Sequence, residues 1–152
     1  MYQRILVPVD GSAPSNRGLD EAIRLAKLTG GSLRLLHVVD ELSVALGGAS
    51  AFAGASPDTF KLLRDGGEQI LAAGQARAAA AGVAVDTVLD DTLGGRVCDR
   101  VVEQAAAWPA ELVVIGTHGR RGVGRLLMGS DAEQVLRLAP VPVLLVRAAE
   151  GG

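Results

Sequence analysis

The chain has 152 residues, 49% of them hydrophobic and 21% charged, with a formal net charge of −2. That is the length of one domain with apolar material for one core. The near-balanced charge excludes a general nucleic-acid binder, which carries a basic surplus, and no apolar run approaches the roughly 20 residues of a membrane span. The single Cys98 excludes an internal disulfide. With a strand-like N-terminus in place of a signal peptide, the expectation is a cytoplasmic protein.

Gln3 to Val9 is a short apolar run bounded by Asp-Gly-Ser and reads as a buried strand. Ser12, Pro14 and Ser15 are helix-start residues; Leu19, Ala22, Ile23 and Ala26 follow at helical spacing, and Gly30-Gly31 stops the helix. Leu33 to Val39 is a second strand, apolar enough to predict helices on both faces of its sheet. From Leu42 to Pro57 the pattern collapses into Gly, Ala and Ser, which predicts a mobile loop long enough to suggest function. Ser56-Pro57 restarts a helix with Phe60, Leu63, Ile70, Leu71 and Ala78 on one face, weakened by Gly66, Gly67 and Gly74 and ended by Gly82.

Val83, Val85, Thr87 and Leu89 alternate with Ala84, Asp86 and Val88 as a third, edge-like strand. Gly94-Gly95 leads into a helix carrying Val97, Val101, Ala105 and Trp108, closed by Pro109. A fourth strand, Leu112 to Ile115, runs into a glycine-rich stretch and then a helix ending near Ala139. Val141 to Val146 is a fifth strand. Strands alternating with helices predict one open parallel α/β sheet with right-handed crossovers. Orders 2-1-3-4-5 and 3-2-1-4-5 both satisfy the pattern.

The stretch after the fourth strand carries the chemistry. A buried strand, a glycine-rich loop and a helix N-terminus commonly hold phosphate, because unpaired N–H groups and the helix dipole face the anion. Gly119 to Gly124 has the Walker spacing, but Arg125-Leu126 follows in place of the lysine and the hydroxyl. The dinucleotide pattern begins at Gly122-Val123-Gly124 and fails at Leu127. What remains is G-x2-G-x9-G-S over Gly116, Gly119, Gly129 and Ser130.

That spacing resembles the signature of the ATP-binding subgroup of the universal stress protein family. The resemblance covers the whole chain, including Ile5 to Ser12, His37-Val38-Val39-Asp40 and Pro140 to Val146. It implies order 3-2-1-4-5 in a single domain of 152 residues. Strands 1 and 4 then meet at the topological switch point, where open α/β sheets bind ligands, with Asp10 and Gly116 at their two ends. It further implies ATP or another adenine nucleotide as ligand, with room for Mg2+ beside it, and a homodimer through Val141–Val146. Asp10 would contact the adenosine and the Val38 backbone the adenine. Gly116, Gly119, Gly129 and Ser130 would serve ribose and phosphates, with Arg120 beside them.

Each of these residues also has a plain structural reading. Asp-Gly-Ser is a common turn, Val38 is an ordinary strand residue, and Gly116 and Gly119 suit a turn. Ser130-Asp131-Ala132-Glu133 is a capping box. Asp131 departs from expectation, because a carboxylate turned towards phosphate would repel it. Arg120, Arg121 and Arg125 suit a solvated face as well as phosphate neutralisation, and His118 lies in the same loop. His37, within an apolar strand, reads as a structural histidine, and Cys98 as a small core residue. Neither histidine has partners at metal spacing.

No catalytic set is visible, and the family resemblance implies a stress-response binding and signalling module, expected to have no nucleic-acid or membrane partner. The alternatives are a slow ATP-hydrolysing enzyme and a phosphoryl-accepting receiver domain. The receiver reading lacks the acidic pair after strand 1, where Asp10 stands alone, and the lysine after strand 5, where Arg147 stands.

Overall fold

The computed structural model describes residues 1–39, 57–92, 94–117 and 130–147, without the side chains of Pro57 and Ser130. In chain order the described elements are β1 (Arg4–Pro8), α1 (Ala13–Thr29), β2 (Ser32–Val38), α2 (Pro57–Ala80), β3 (Ala84–Asp90), α3 (Val97–Ala107), β4 (Leu112–Thr117), α4 (Ser130–Leu138) and β5 (Val143–Arg147). The five strands form one parallel sheet in the order 3-2-1-4-5. Receiver domains order theirs 2-1-3-4-5. The expected mobile loop over 42–57 lies outside the described residues up to Pro57, where α2 begins.

Side-chain alternation along each strand divides the core in two. Ile5, Val7, Leu33, Leu35, Leu112 and Val114 face α1 and α2, where Leu19, Ala22, Ile23, Leu71 and Ala78 meet them. Leu6, Leu36, Val113 and Ile115 face α3 and α4, against Cys98, Val101, Ala105 and Val135. Helices therefore cover both faces, which is why the central strands read as continuous apolar runs. Among the described residues, no helix is long and apolar enough to cross a membrane.

Two expectations change in detail. The glycines of α2 do not interrupt it: the helix runs from Pro57 to Ala80. Gly67 and Gly74 are points of close approach, since a methyl group there would come within 2.5 Å of His37 Cδ2 and 2.8 Å of Leu35 Cδ1. Helix-to-sheet packing thus offsets their low propensity. The fifth strand starts at Val143, two residues later than expected. Pro142 has no N–H to give, and only its carbonyl joins the sheet, accepting from Val113 N at 3.0 Å.

Candidate functional site

β1 is the short strand at the centre of the sheet, and its shortness creates a notch. Its ladder with β2 runs from Arg4↔Ser32 to Pro8↔Leu36, leaving His37 and Val38 beyond its end. On the other side it pairs with β4 only at Ile5↔Leu112 and Leu6↔Val113. β4 continues to Thr117 alongside β5. β1 and β4 therefore part company at their carboxyl ends, at the point where the chain order reverses.

The first turn of α1 wedges into this opening. A methyl group at Gly116 would lie 1.8 Å from the Pro14 carbonyl oxygen, and one at Gly18 would lie 2.8 Å from Gly116 N. The backbones of α1 and β4 touch there, and no side chain fits between them. Gly116 is thus required by packing, whatever else it serves.

The loop from β1 into α1 is a closed set of hydrogen bonds. Asp10 Oδ1 accepts from Ser12 N at 2.9 Å, an Asx turn. The Asp10 N–H donates to the buried Ser15 Oγ at 3.0 Å. Ser12 caps α1, its Oγ accepting from Ser15 N at 3.3 Å. Gly11, at φ +82°, carries the bend that this requires. The turn reading of Asp10 is thus correct. Its side chain is exposed nonetheless, and among the described residues only Oδ1 is engaged.

The same bonds leave few free donors at the start of α1. Pro14 has no N–H, Ser15 N goes to the cap, and Asn16 N donates to the Ser12 carbonyl at 2.9 Å. The remaining sequence-predicted phosphate residues fall between β4 and α4. Of the predicted residues there, Gly119, Arg120 and Gly129 lie outside the described residues, as do His118, Arg121 and Arg125. Ser130 is the first residue of α4.

Val38 is the last residue of β2 and lies beyond the end of its ladder with β1. Val9 N donates to the Leu36 carbonyl at 2.8 Å, so Leu36 directs its peptide groups towards β1. Peptide directions alternate along a strand, so those of Val38, two residues on, point the same way. Continuing the register puts Val38 level with Asp10, beyond the last residue of β1. The Val38 N–H and C=O thus face the side on which β1 has ended.

Asp131 is exposed on the first turn of α4. Its charge is felt at the start of α3. The Arg96 guanidinium is held above its ordinary range, first by its hydrogen bond to Asp99 and in small part by Asp131. The Cys98 thiol is raised mainly by burial, with Asp99 and Asp131 adding to it. Among the described residues no group of three His, Cys, Asp or Glu could hold a metal ion. Sequence reasoning read Ser15 only as a helix-start residue and missed its bond to the Asp10 N–H.

An open parallel sheet of order 3-2-1-4-5, with helices on both faces, defines a doubly wound α/β protein. The model of the universal stress protein family matches residues 1–147, and the chain belongs to that family. It is 32% identical to universal stress protein MJ0531 of Methanocaldococcus jannaschii, over 97% of this chain and 83% of that one. With universal stress protein YxiE of Bacillus subtilis it shares 29% identity, over 97% and 100%. Among solved structures, a family member from Burkholderia pseudomallei superposes with a TM-score of 0.72 at 30% identity, covering 97% of each chain. A universal stress protein in complex with cAMP gives 0.67 at 27% identity, covering 97% of this chain and 98% of that one.

Proposed function

We propose that the notch binds an adenine nucleotide, ATP or another of its class, and that the protein is a stress-response binding and signalling module whose nucleotide state changes its partners. The observation that carries this reading is the end of the β1–β2 ladder at Pro8↔Leu36, which leaves the Val38 peptide past the end of β1, where the exposed Asp10 follows. A purine edge offers an acceptor and a donor side by side, which a strand residue's N–H and C=O match. The ribose offers hydroxyls, which a carboxylate accepts. The cAMP complex of the 27% identical relative supports the same class of ligand.

In this reading Asp10 takes the ribose and Val38 the base, while Gly116 lets the backbone of β4 form the floor. Gly119, Arg120, Gly129 and Ser130 take the phosphates at the start of α4, where the helix dipole favours them. Mg2+ would accompany the phosphates of the nucleotide. The protein works in the cytoplasm as a homodimer through the Val141–Val146 strand. Turnover is expected to be very slow or absent, because the sequence offers no recognisable general base or transition-state arginine.

Native mass spectrometry of freshly purified protein tests the ligand class directly: a carried adenine nucleotide is expected. Calorimetric titration with ATP in magnesium should then give a dissociation constant well below millimolar. Binding no tighter than millimolar, with no nucleotide carried through purification, would reduce the notch to a structural feature.

A further inference from the structure

We infer that His37 is a positioning residue: its imidazole takes the Val9 carbonyl and so keeps the Val38 amide out of the sheet and open to a ligand. The inference rests on the proposed nucleotide site for the identity of that ligand, but not for the release of the amide.

In a parallel ladder one residue donates to its neighbouring strand and accepts from the residue two further on. Val9 N already donates to the Leu36 carbonyl at 2.8 Å. The regular continuation would bring Val38 N–H to the Val9 carbonyl. Among the described residues that backbone bond is not made. His37 Nδ1 lies 2.8 Å from the Val9 oxygen instead. A carbonyl oxygen only accepts, so Nδ1 carries the hydrogen.

The ring is fixed from its other side. A methyl group at Gly67 would stand 2.5 Å from His37 Cδ2 and 3.0 Å from Nε2, so the backbone of α2 lies against the imidazole. His37 shares a strand face with Leu33 and Leu35, and the Val9 carbonyl meets it on the α2 side of the sheet. One side chain thus ends the ladder a residue early, and the next residue's N–H faces the notch. Gly67 is what allows the ring to sit there. This gives His37 a task beyond filling space, and it gives the mid-helix glycine a reason.

The test uses two substitutions that separate the donor from the packing. His37→Phe keeps an aromatic ring against Gly67 but has no N–H to offer Val9. His37→Asn keeps an N–H near the position of Nδ1 and loses most of the ring. Amide hydrogen exchange, followed by NMR on the full chain, is read at Val38. In the ligand-free wild type, Val38 should exchange far faster than Leu36, and ATP should slow it. In His37→Phe the ladder bond should close, slowing Val38 without ligand and weakening ATP by about tenfold, the equivalent of one hydrogen bond. His37→Asn should restore fast exchange and most of the affinity, which a purely structural histidine would not do. Gly67→Ala, which crowds the same ring from α2, should shift exchange and affinity in the direction of His37→Phe if that variant folds poorly. A Val38 amide already protected in the ligand-free wild type, or a Phe variant unchanged in exchange and affinity, overturns the inference. Exchange that follows the expected pattern while ATP fails to bind would leave the released amide standing and sink the nucleotide reading.

Discussion

Asp10 illustrates how one side chain serves structure and leaves chemistry in reserve. Its Oδ1 closes the turn into α1 through Ser12 N, and that acceptor survives in Asp10→Asn while the charge does not. The substitution should therefore leave the melting temperature within a few degrees and weaken adenosine and ATP alike, by roughly 1 kcal/mol for a charge-assisted bond made neutral. Equal loss for both ligands would point to a contact with the nucleoside; loss for ATP alone would assign Asp10 to the phosphate end. Gly116 is the opposite case. A methyl group 1.8 Å from a backbone oxygen cannot be accommodated by a rotamer change, so Gly116→Ala must displace the start of α1. A loss of about 3 kcal/mol, near the upper end for overpacking, is expected in denaturant unfolding. An unchanged midpoint would mean that the two backbones do not touch.

At the level of the element, α2 offers a comparison within a single helix. Gly66 has nothing within 4 Å of the place a methyl group would occupy, whereas Gly67 and Gly74 face His37 and Leu35 closely. Gly66→Ala should stabilise by roughly 0.5–1 kcal/mol through helix propensity, and Gly74→Ala should destabilise through the clash. Thermal unfolding of the pair would show opposite signs, and the same sign for both would refute the packing account. These glycines also show where sequence reading stops. The periodicity of Phe60, Leu63, Ile70, Leu71 and Ala78 announces the helix, but propensity counts all three glycines as liabilities. Their difference depends on what lies opposite, which is tertiary information. The caps were easier: Ser12, Pro14 and Gly30 mark both ends of α1 by local chemistry alone. Likewise the alternation along the last strand is met in part: Val141, Val143 and Leu145 pack into one layer and Val146 into the other, while Leu144 is exposed. Where the ladder takes up β5 was not legible, because that depends on Val113 meeting the Pro142 carbonyl.

For the whole molecule, alternating strands and helices announced a parallel sheet but left two strand orders open. Resemblance supplied the choice, and the pairing of β1 with both β2 and β4 bears it out. Gly116 was named from the glycine motif and Asp10 and Val38 from the family resemblance, but the notch at the end of β1 could not be. It arises from the unequal lengths of three neighbouring strands, which no local pattern encodes. The order also leaves β5 at an edge of the sheet with Leu144 38% exposed, the kind of edge proteins cover. Light scattering at micromolar concentration should therefore give a dimer, and Leu144→Lys should shift it towards monomer. A wild-type monomer under those conditions would remove the proposed interface.

The notch has an energetic corollary. Its peptide groups lie beyond the last pair of the ladder, so a molecule seated there has no sheet hydrogen bonds to break and no strand to move aside. Binding free energy should then appear undiminished as protection against unfolding. The rise in stability at each ligand concentration should match RT ln(1 + [L]/Kd), with Kd taken from titration at the same temperature. A shortfall would reveal an opening step hidden in the binding reaction, whereas agreement would mean that the receptor is finished before its ligand arrives.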